Sequence, residues 1–170
     1  MLKEKNLNLY KNVLINADRS SVMMICINGY RSNLPYGDIV NCHLTEELYF
    51  EGIDNLVLAI DEACDQVGAP PRTTEPRHLY QSSAEKIKKT PRKRHRMGML
   101  DVRQSAEWMV PFMVRAKDVI VVEVMYRQNS SMQGRILCRG GGAKYTFFRS
   151  ALELMRMLEE ASKELNGQRL

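Results

Sequence analysis

The sequence lacks the features that mark several large classes of protein. It contains no apolar run of about 18 residues, so we expect no transmembrane helix and no membrane partner. The N-terminus has no apolar core between a charged start and a small-residue cleavage site, which predicts a cytoplasmic protein without a secretory signal. The four cysteines form no CxxC pair and the three histidines lack zinc-finger spacing. We therefore expect reduced, buried thiols and no metal site.

Motifs for catalysis or nucleotide binding are also missing. The chain has no GxSxG, HExxH, P-loop or dinucleotide fingerprint. The triple glycine at 140–142 is not followed by Lys-Ser/Thr and opens no helical pattern, so it indicates a hairpin turn instead of a phosphate loop. The adjacent acidic residues Asp61-Glu62 and Glu159-Glu160 point apart on a helix and indicate a solvated face. The sequence thus predicts a non-enzyme with no catalytic residues and no cofactor.

What the sequence does contain is an internal repeat. Residues 50–67 and 148–165 align, with Phe50 opposite Phe148. Apolar residues recur three and four positions apart in both segments, which predicts two amphipathic helices, each with one buried face. Ser150 with Glu153 is typical of a helix start, and the glycines at 68 and 167 follow the expected helix ends.

Three short strand patterns precede each predicted helix. The first strands are Val22–Ile27 and Val119–Tyr126, each followed by a polar turn that ends in a glycine. The second strands are predicted at Asp38–His43 and Arg135–Arg139, and the third strands come directly before the helices. The fold class is therefore α+β, with two repeated βββα modules built on antiparallel sheets, at residues 22–67 and 117–170.

Each module of this kind is too small to be very stable alone. The strand Val119–Tyr126 is apolar on both faces, and one helix can cover only one of them. We therefore expect the two modules to pack together as a pseudo-twofold pair. A homodimer could bury the same surface, and this alternative remains open.

The remaining residues form an N-terminal segment, 1–21, and a connector, 68–116. The connector begins with a stretch that holds three of the six prolines, at 70, 71 and 76, and should be extended there. Residues 86–96 then hold seven Lys or Arg and no acid, which predicts a solvated segment. Residues 99–114 include the only tryptophan, Trp108, and are too apolar to remain in water, so this piece should dock on a module or on the seam between the modules.

The charge distribution points to a polyanionic partner. Residues 22–67 carry eight acidic residues against one basic residue, whereas the basic character is concentrated in 86–96. Clustered cations attract nucleic acid through the release of counterions, without reading the base sequence. The candidate nucleic-acid-binding residues are those of the basic run and four on the second module: Lys86, Lys88, Lys89, Arg92, Lys93, Arg94, Arg96, Arg127, Arg135, Arg139 and Lys144.

Parts of the second module resemble known DNA-binding domains. Tyr126-Arg127, the string Gly134-Arg-Ile-Leu, and the string from Tyr145 to Leu154 resemble the AP2 type and the integrase N-terminal type, which combine a three-stranded sheet with one helix. That resemblance implies a sheet face that enters the major groove, with contacts from Arg127, Gln128, Arg135, Arg139 and Lys144. The strings YRQNSSMQG and FRSALELM also resemble a family of uncharacterised bacterial proteins, which implies no activity.

The sequence therefore predicts a non-enzymatic binding protein that contacts nucleic acid through the connector and the second module. The alternative is a protein–protein adaptor in which residues 86–96 are only a solvated linker.

Overall fold

A computed structural model describes residues 21–75, 77, 79–80, 99–138 and 144–167. The elements in these residues are β1 (Val22–Arg31), β2 (Leu34–Val40), β3 (Leu48–Glu51), α1 (Ile53–Val67), α2 (Met99–Arg115), β4 (Asp118–Tyr126), β5 (Gln133–Leu137), β6 (Thr146–Phe148) and α3 (Ala151–Leu165). The basic run 86–96 and most of the segment 1–21 lie outside the described residues.

The strands form one six-stranded sheet in the order β3-β2-β1-β4-β5-β6, and every neighbouring pair is antiparallel. This confirms the predicted α+β class. The two central strands, β1 and β4, pair from Val22 opposite Glu123 to Ile27 opposite Asp118. The strands before and after the connector therefore share one continuous hydrogen-bonded sheet.

Both faces of the sheet centre are buried. On one face, here called the helix face, residues such as Ile25 and Val122 pack under α1 and α3. On the other, the second face, Met24 and Val121 pack under the end of α2, where Met109 is 1% exposed. Neighbouring residues of a strand point to opposite faces, so an all-apolar strand requires cover on both. The apolar segment 99–114 lies in helix α2, and this helix covers the second face. Trp108 on α2 is half-buried against that face.

The helix boundaries follow the signals in the sequence. The Ser150 side chain accepts a hydrogen bond from the backbone N–H of Glu153 at 3.1 Å and caps α3. Gly68 ends α1 in the left-handed region, at φ 69°. None of the described helices combines the length and the apolar character that crossing a membrane requires.

The hairpin turns lie earlier than the sequence patterns indicated. Ser32-Asn33 and Asn129-Ser130 have positive φ values, which allow tight turns before β2 and β5. The second strands accordingly begin at Leu34 and Gln133, and the predicted strand starts at Asp38 and Arg135 are wrong. The side-chain oxygens of Asn and Ser form hydrogen bonds with nearby backbone and so stabilise the left-handed conformation without glycine. The glycines that were interpreted as turn ends are therefore not required in these turns.

Gly37 and Gly134 lie inside strands, where they allow close backbone contact. Gly37 is opposite Phe50 in β3, and Gly134 is opposite Phe148 in β6. A Cβ atom at Gly37 would collide with the carbonyl oxygen of Cys26, and one at Gly134 with that of Glu123. The missing side chain at Gly134 also leaves room for the buried Phe148 ring, whose Cζ would lie 2.9 Å from a Cβ atom there.

We predict that Gly134→Ala destabilises the protein by at least about 2 kcal/mol, because a buried backbone atom must move. Gly167→Ala is the control: a Cβ there meets nothing within 4 Å, so only the left-handed backbone, at φ 74°, is strained, at a cost of about 1 kcal/mol. Urea denaturation measures both variants. Equal losses would show that the close approach at Gly134 does not matter.

Candidate nucleic-acid interface

The structure describes three of the predicted nucleic-acid-binding residues: Arg127, Arg135 and Lys144. The other eight lie outside the described residues, namely Lys86, Lys88, Lys89, Arg92, Lys93, Arg94, Arg96 and Arg139. The three described residues occupy different environments. Arg127 is buried, Arg135 is half-buried and Lys144 is exposed.

Arg127 points to the helix face and into the protein. Its side chain is 3% exposed, and its guanidinium contacts Asp61 Oδ1 at 2.7 Å and Asp65 Oδ1 at 2.8 Å on α1. Asp61 and Asp65 are one helical turn apart, so one guanidinium reaches both carboxylates. In this conformation Arg127 stabilises the packing of β4 against α1 and presents no charge at the surface.

Arg72 completes an Arg–Asp cluster with Asp61, Asp65 and Arg127. Its guanidinium lies 2.6 Å from Asp61 Oδ2 and 2.8 Å from Asp65 Oδ2. The backbone N–H of Thr73 donates to the carbonyl of Arg127 at 3.1 Å, which holds the start of the connector along the end of β4. The cluster has two positive and two negative formal charges, and it joins α1, the connector and β4.

The cluster corrects the interpretation of Asp61 as part of a solvated helix face, because both its carboxylate oxygens accept from arginines. Burial alone would raise the pKa of Asp65, but the hydrogen bonds from Arg72 and Arg127 outweigh it and hold the pKa below its ordinary value of 3.8. The four-residue spacing of Asp61 and Asp65 was the available signal in the sequence. Arg72 is only seven positions from Asp65 but lies beyond the end of α1, and Arg127 is 66 positions from Asp61, so neither partner follows from the helical spacing.

We predict that the double variant Asp61→Asn, Asp65→Asn loses about 3 kcal/mol or more of unfolding free energy at pH 7, because Arg127 is left buried without a counter-charge. Glu62→Gln, on the exposed side of the same helix, should change little. Because the folded-state pKa of Asp65 is lowered, the ionised Asp65 carboxylate stabilises the fold above pH 3.8, and this stabilisation is lost as the pH falls further. The difference in unfolding free energy between wild type and the double variant should therefore become smaller in acid.

Urea denaturation at pH 7 and at low pH measures both effects. A double variant no less stable than Glu62→Gln at pH 7 would show that the cluster contributes nothing to folding.

Arg135 lies on the second face, at the β6 side of the sheet. Its Nε donates to Glu123 Oε2 at 2.6 Å, and its guanidinium carbon stacks 4.0 Å from the centre of the Tyr145 ring. Phe147 is directly opposite Arg135 across β5 and β6, so both share this face. Phe147 is 61% exposed, which is unusual for a large apolar ring. We call Arg135, Lys144, Tyr145 and Phe147 the basic flank.

The opposite end of the second face also has an exposed aromatic ring, here beside two carboxylates that are paired with arginines. Tyr49 in β3 is directly opposite Asp38 in β2 and is 54% exposed. Asp38 accepts from Arg115 at 2.7 Å, and Glu51 accepts from the Tyr49 hydroxyl at 2.9 Å. We call Asp38, Tyr49 and Glu51 the acidic flank. Arg31 lies at this end too: its Nη1 donates to the Tyr49 hydroxyl at 3.3 Å and lies 3.4 Å from Glu51 Oε2. Each end of the second face therefore has an exposed aromatic ring beside arginine–carboxylate pairs.

The described residues bring together no group of three or more potential metal ligands among His, Cys, Asp and Glu. Burial raises the pKa of the Cys26 and Cys64 thiols to about 12, so neither is a thiolate at neutral pH. The basic flank instead offers a flat aromatic surface with donors at its side, which suits binding. Comparison of the chain with protein-family models, curated proteins and solved structures finds no match.

Proposed function

We propose that the protein is a non-enzymatic binding protein that contacts single-stranded nucleic acid through the basic flank. The observation that carries this proposal is the exposed Phe147 ring on an open sheet surface beside the stacked Arg135 and Tyr145. Unpaired bases stack on aromatic side chains and on guanidinium planes, and every base has a flat face to offer. Base pairs within a duplex do not expose those faces, so the flank favours single strands.

Within the flank the residues have different roles. Phe147 is the stacking surface, and Lys144, which is exposed and lies two positions before β6 begins, supplies a cation for a phosphate. The charge of Arg135 is shared with Glu123, so its main contribution is to fix the Tyr145 ring and to extend the flat surface. Arg127 is not in the contact set of this proposal, because its guanidinium is buried on the opposite face.

The basic run 86–96 supplies most of the affinity in this proposal. Seven Lys or Arg in eleven residues favour phosphates without reading bases, and Arg139 adds a cation in the β5–β6 connection. Stacking then adds a smaller contribution of about 1–3 kcal/mol per base. Binding should therefore be strongly salt-dependent and only weakly selective for sequence.

We further propose that the chain contains two copies of a βββα unit, related by a pseudo-twofold axis through the β1–β4 pair. Irregular pairing occurs between Ile27 and Gly29 in β1 and between Val124 and Tyr126 in β4, at matching positions of the two units. The two glycine–phenylalanine pairs and the two left-handed hairpin turns support the same correspondence. The basic and acidic flanks then occupy equivalent places.

The equivalence of the flanks provides a matched pair of variants. We predict that Phe147→Ala weakens binding of a fluorescein-labelled oligothymidine by at least about fivefold, because a stacking surface is lost. Tyr49→Ala removes a similarly exposed ring from the acidic flank and should leave the affinity unchanged, because Asp38 and Glu51 are paired with Arg115 and Arg31 and leave no excess positive charge there to hold a phosphate. Fluorescence anisotropy measures both affinities. Equal effects of the two variants would contradict the assignment to the basic flank.

The contribution of the basic run is tested separately. Wild-type affinity should fall about tenfold or more between ~50 and ~200 mM salt. Replacing residues 86–96 by a Gly/Ser segment of the same length should weaken binding and flatten this dependence, whereas shuffling the basic residues within 86–96 should preserve both. Binding that ignores salt, or that survives the Gly/Ser replacement, would contradict the role of the run.

The acidic flank favours one other candidate function, that of a protein–protein adaptor. Tyr49 and Leu34 are both about half exposed at that end of the sheet, at 54% and 50%. In an adaptor the Gly/Ser replacement would leave partner binding intact, and Tyr49→Ala would reduce it. The same two variants therefore separate the two candidates.

A further inference from the structure

We propose that Tyr126 is a second stacking residue of the single-strand site, so that the bound strand places one base on Phe147 and another base on Tyr126. This inference rests on the proposed function and extends its contacts from β6 to the end of β4. Both rings are open to solvent, with Tyr126 55% exposed and Phe147 61% exposed. Large apolar groups that are exposed together on one surface mark interaction sites.

An irregularity in β4 turns Tyr126 to the second face. The register of β4 with β5 shifts between Val124 and Tyr126, so Met125 is one extra residue on the β4 side of the pair. Tyr126 is thereby opposite Gln133, which lies two positions from Arg135 and so shares the second face with it. Without the extra residue, Tyr126 would point to the helix face, as Val124 does.

The position of Arg127 supports this orientation. Arg127 follows Tyr126 in the chain, and its guanidinium contacts two aspartates of α1 on the helix face. Neighbouring residues of an extended strand point to opposite faces, so Tyr126 points to the second face. α2 packs nearer the start of β4, on Val119 and Val121, and leaves the Tyr126 ring accessible.

The two rings lie too far apart for neighbouring bases of a stacked strand. Gln133 is opposite Tyr126, and Arg135, two positions further along β5, is opposite Phe147. With strands about 4.8 Å apart and a rise of about 3.4 Å per residue, the Cα atoms of Tyr126 and Phe147 are about 12 Å apart. Stacked bases in a DNA strand are only about 3.4 Å apart. Each ring therefore holds its own base, and these two bases are not stacked on each other.

The other end of the second face lacks this pair of open rings. After the matching irregularity in β1 the residue is Gly29, which has no side chain and is opposite Tyr36. The guanidinium carbon of Arg31 lies 4.3 Å from the centre of the Tyr36 ring, and Arg31 Nη1 donates to the Tyr49 hydroxyl at 3.3 Å. An arginine of the protein itself thus engages both rings there.

Charge favours a polyanion as the molecule that lies across Phe147 and Tyr126. Arg149, which directly follows β6, has a side chain that is 89% exposed. Glu123 and Glu153, which lie beside the arginines of this end, each form an ion pair with one of them. Lys144 forms no ion pair within the part of the chain that the structure describes and so adds an excess positive charge.

Fluorescence anisotropy of the full chain with the labelled oligothymidine tests the proposal. Tyr126→Ala should weaken binding at least about fivefold, whereas Tyr126→Phe, which keeps the ring, should bind like wild type. Tyr49→Ala is the matched control, because Tyr49 is 54% exposed on the same face and should leave the affinity unchanged. If Tyr126→Phe binds as weakly as Tyr126→Ala, the hydroxyl group and not the ring is responsible, and the proposal is overturned.

The double variant Tyr126→Ala, Phe147→Ala tests whether two separate bases are held. Effects of independent sites more than about 10 Å apart combine by multiplication of the affinity losses, so the double variant should bind at least about 25-fold more weakly than wild type. A double variant that binds no more weakly than Phe147→Ala would contradict the second base. Circular dichroism should show that all variants fold, because both rings are largely exposed.

The outcomes also separate this inference from the proposed function. If Phe147→Ala weakens binding and Tyr126→Ala does not, the assignment of Tyr126 is wrong and the single-strand site on the basic flank stands. If wild-type protein does not bind oligothymidine, both proposals are wrong.

Discussion

The pairing of β1 with β4 is the constraint on which the rest of the structure depends. These two strands are apolar on both faces, so neither can lie at an edge of a sheet or with one side in water. Their pairing joins three strands from each half of the chain and creates two broad apolar surfaces. α1 and α3 cover one surface and α2 covers the other. With about 1.5–3 kcal/mol for each large apolar side chain buried, this arrangement accounts for most of the stabilisation.

The centre of the sheet is thus covered on both faces, so the sheet is open to other molecules only towards its two ends. The second face ends in two flanks with one exposed ring each, Phe147 and Tyr49. The Arg–Asp cluster lies on the opposite face, where it fixes the connector after α1. This separation explains why residues of one chemical type, such as Arg127 and Arg135, perform different roles.

Periodicity and composition were sufficient to predict the first strands, helices α1 and α3, the α+β class and the docking of residues 99–114 on the rest of the fold. They did not predict that this segment is a helix, or that this helix, and not the second module, covers the second face. The hairpin positions were not predictable from glycine alone, because Ser32-Asn33 and Asn129-Ser130 adopt the left-handed turns. The pairing of Asp61 with Arg127 was equally hidden, since a salt bridge across 66 positions leaves no local pattern. The alternation of residues along a strand also could not show that Phe147 is exposed, because exposure depends on what packs above that strand.

Native-state hydrogen exchange of the intact chain, followed over increasing denaturant, tests most directly whether the two halves form one sheet with a shared core. Amides of β1 and β4 should exchange only through global unfolding, so their free energies should converge on the same value as the unfolding free energy. If the amides of β4, β5 and α3 opened together at a clearly lower free energy than those of β1 and β2, the two halves would be independent units and this account would be wrong.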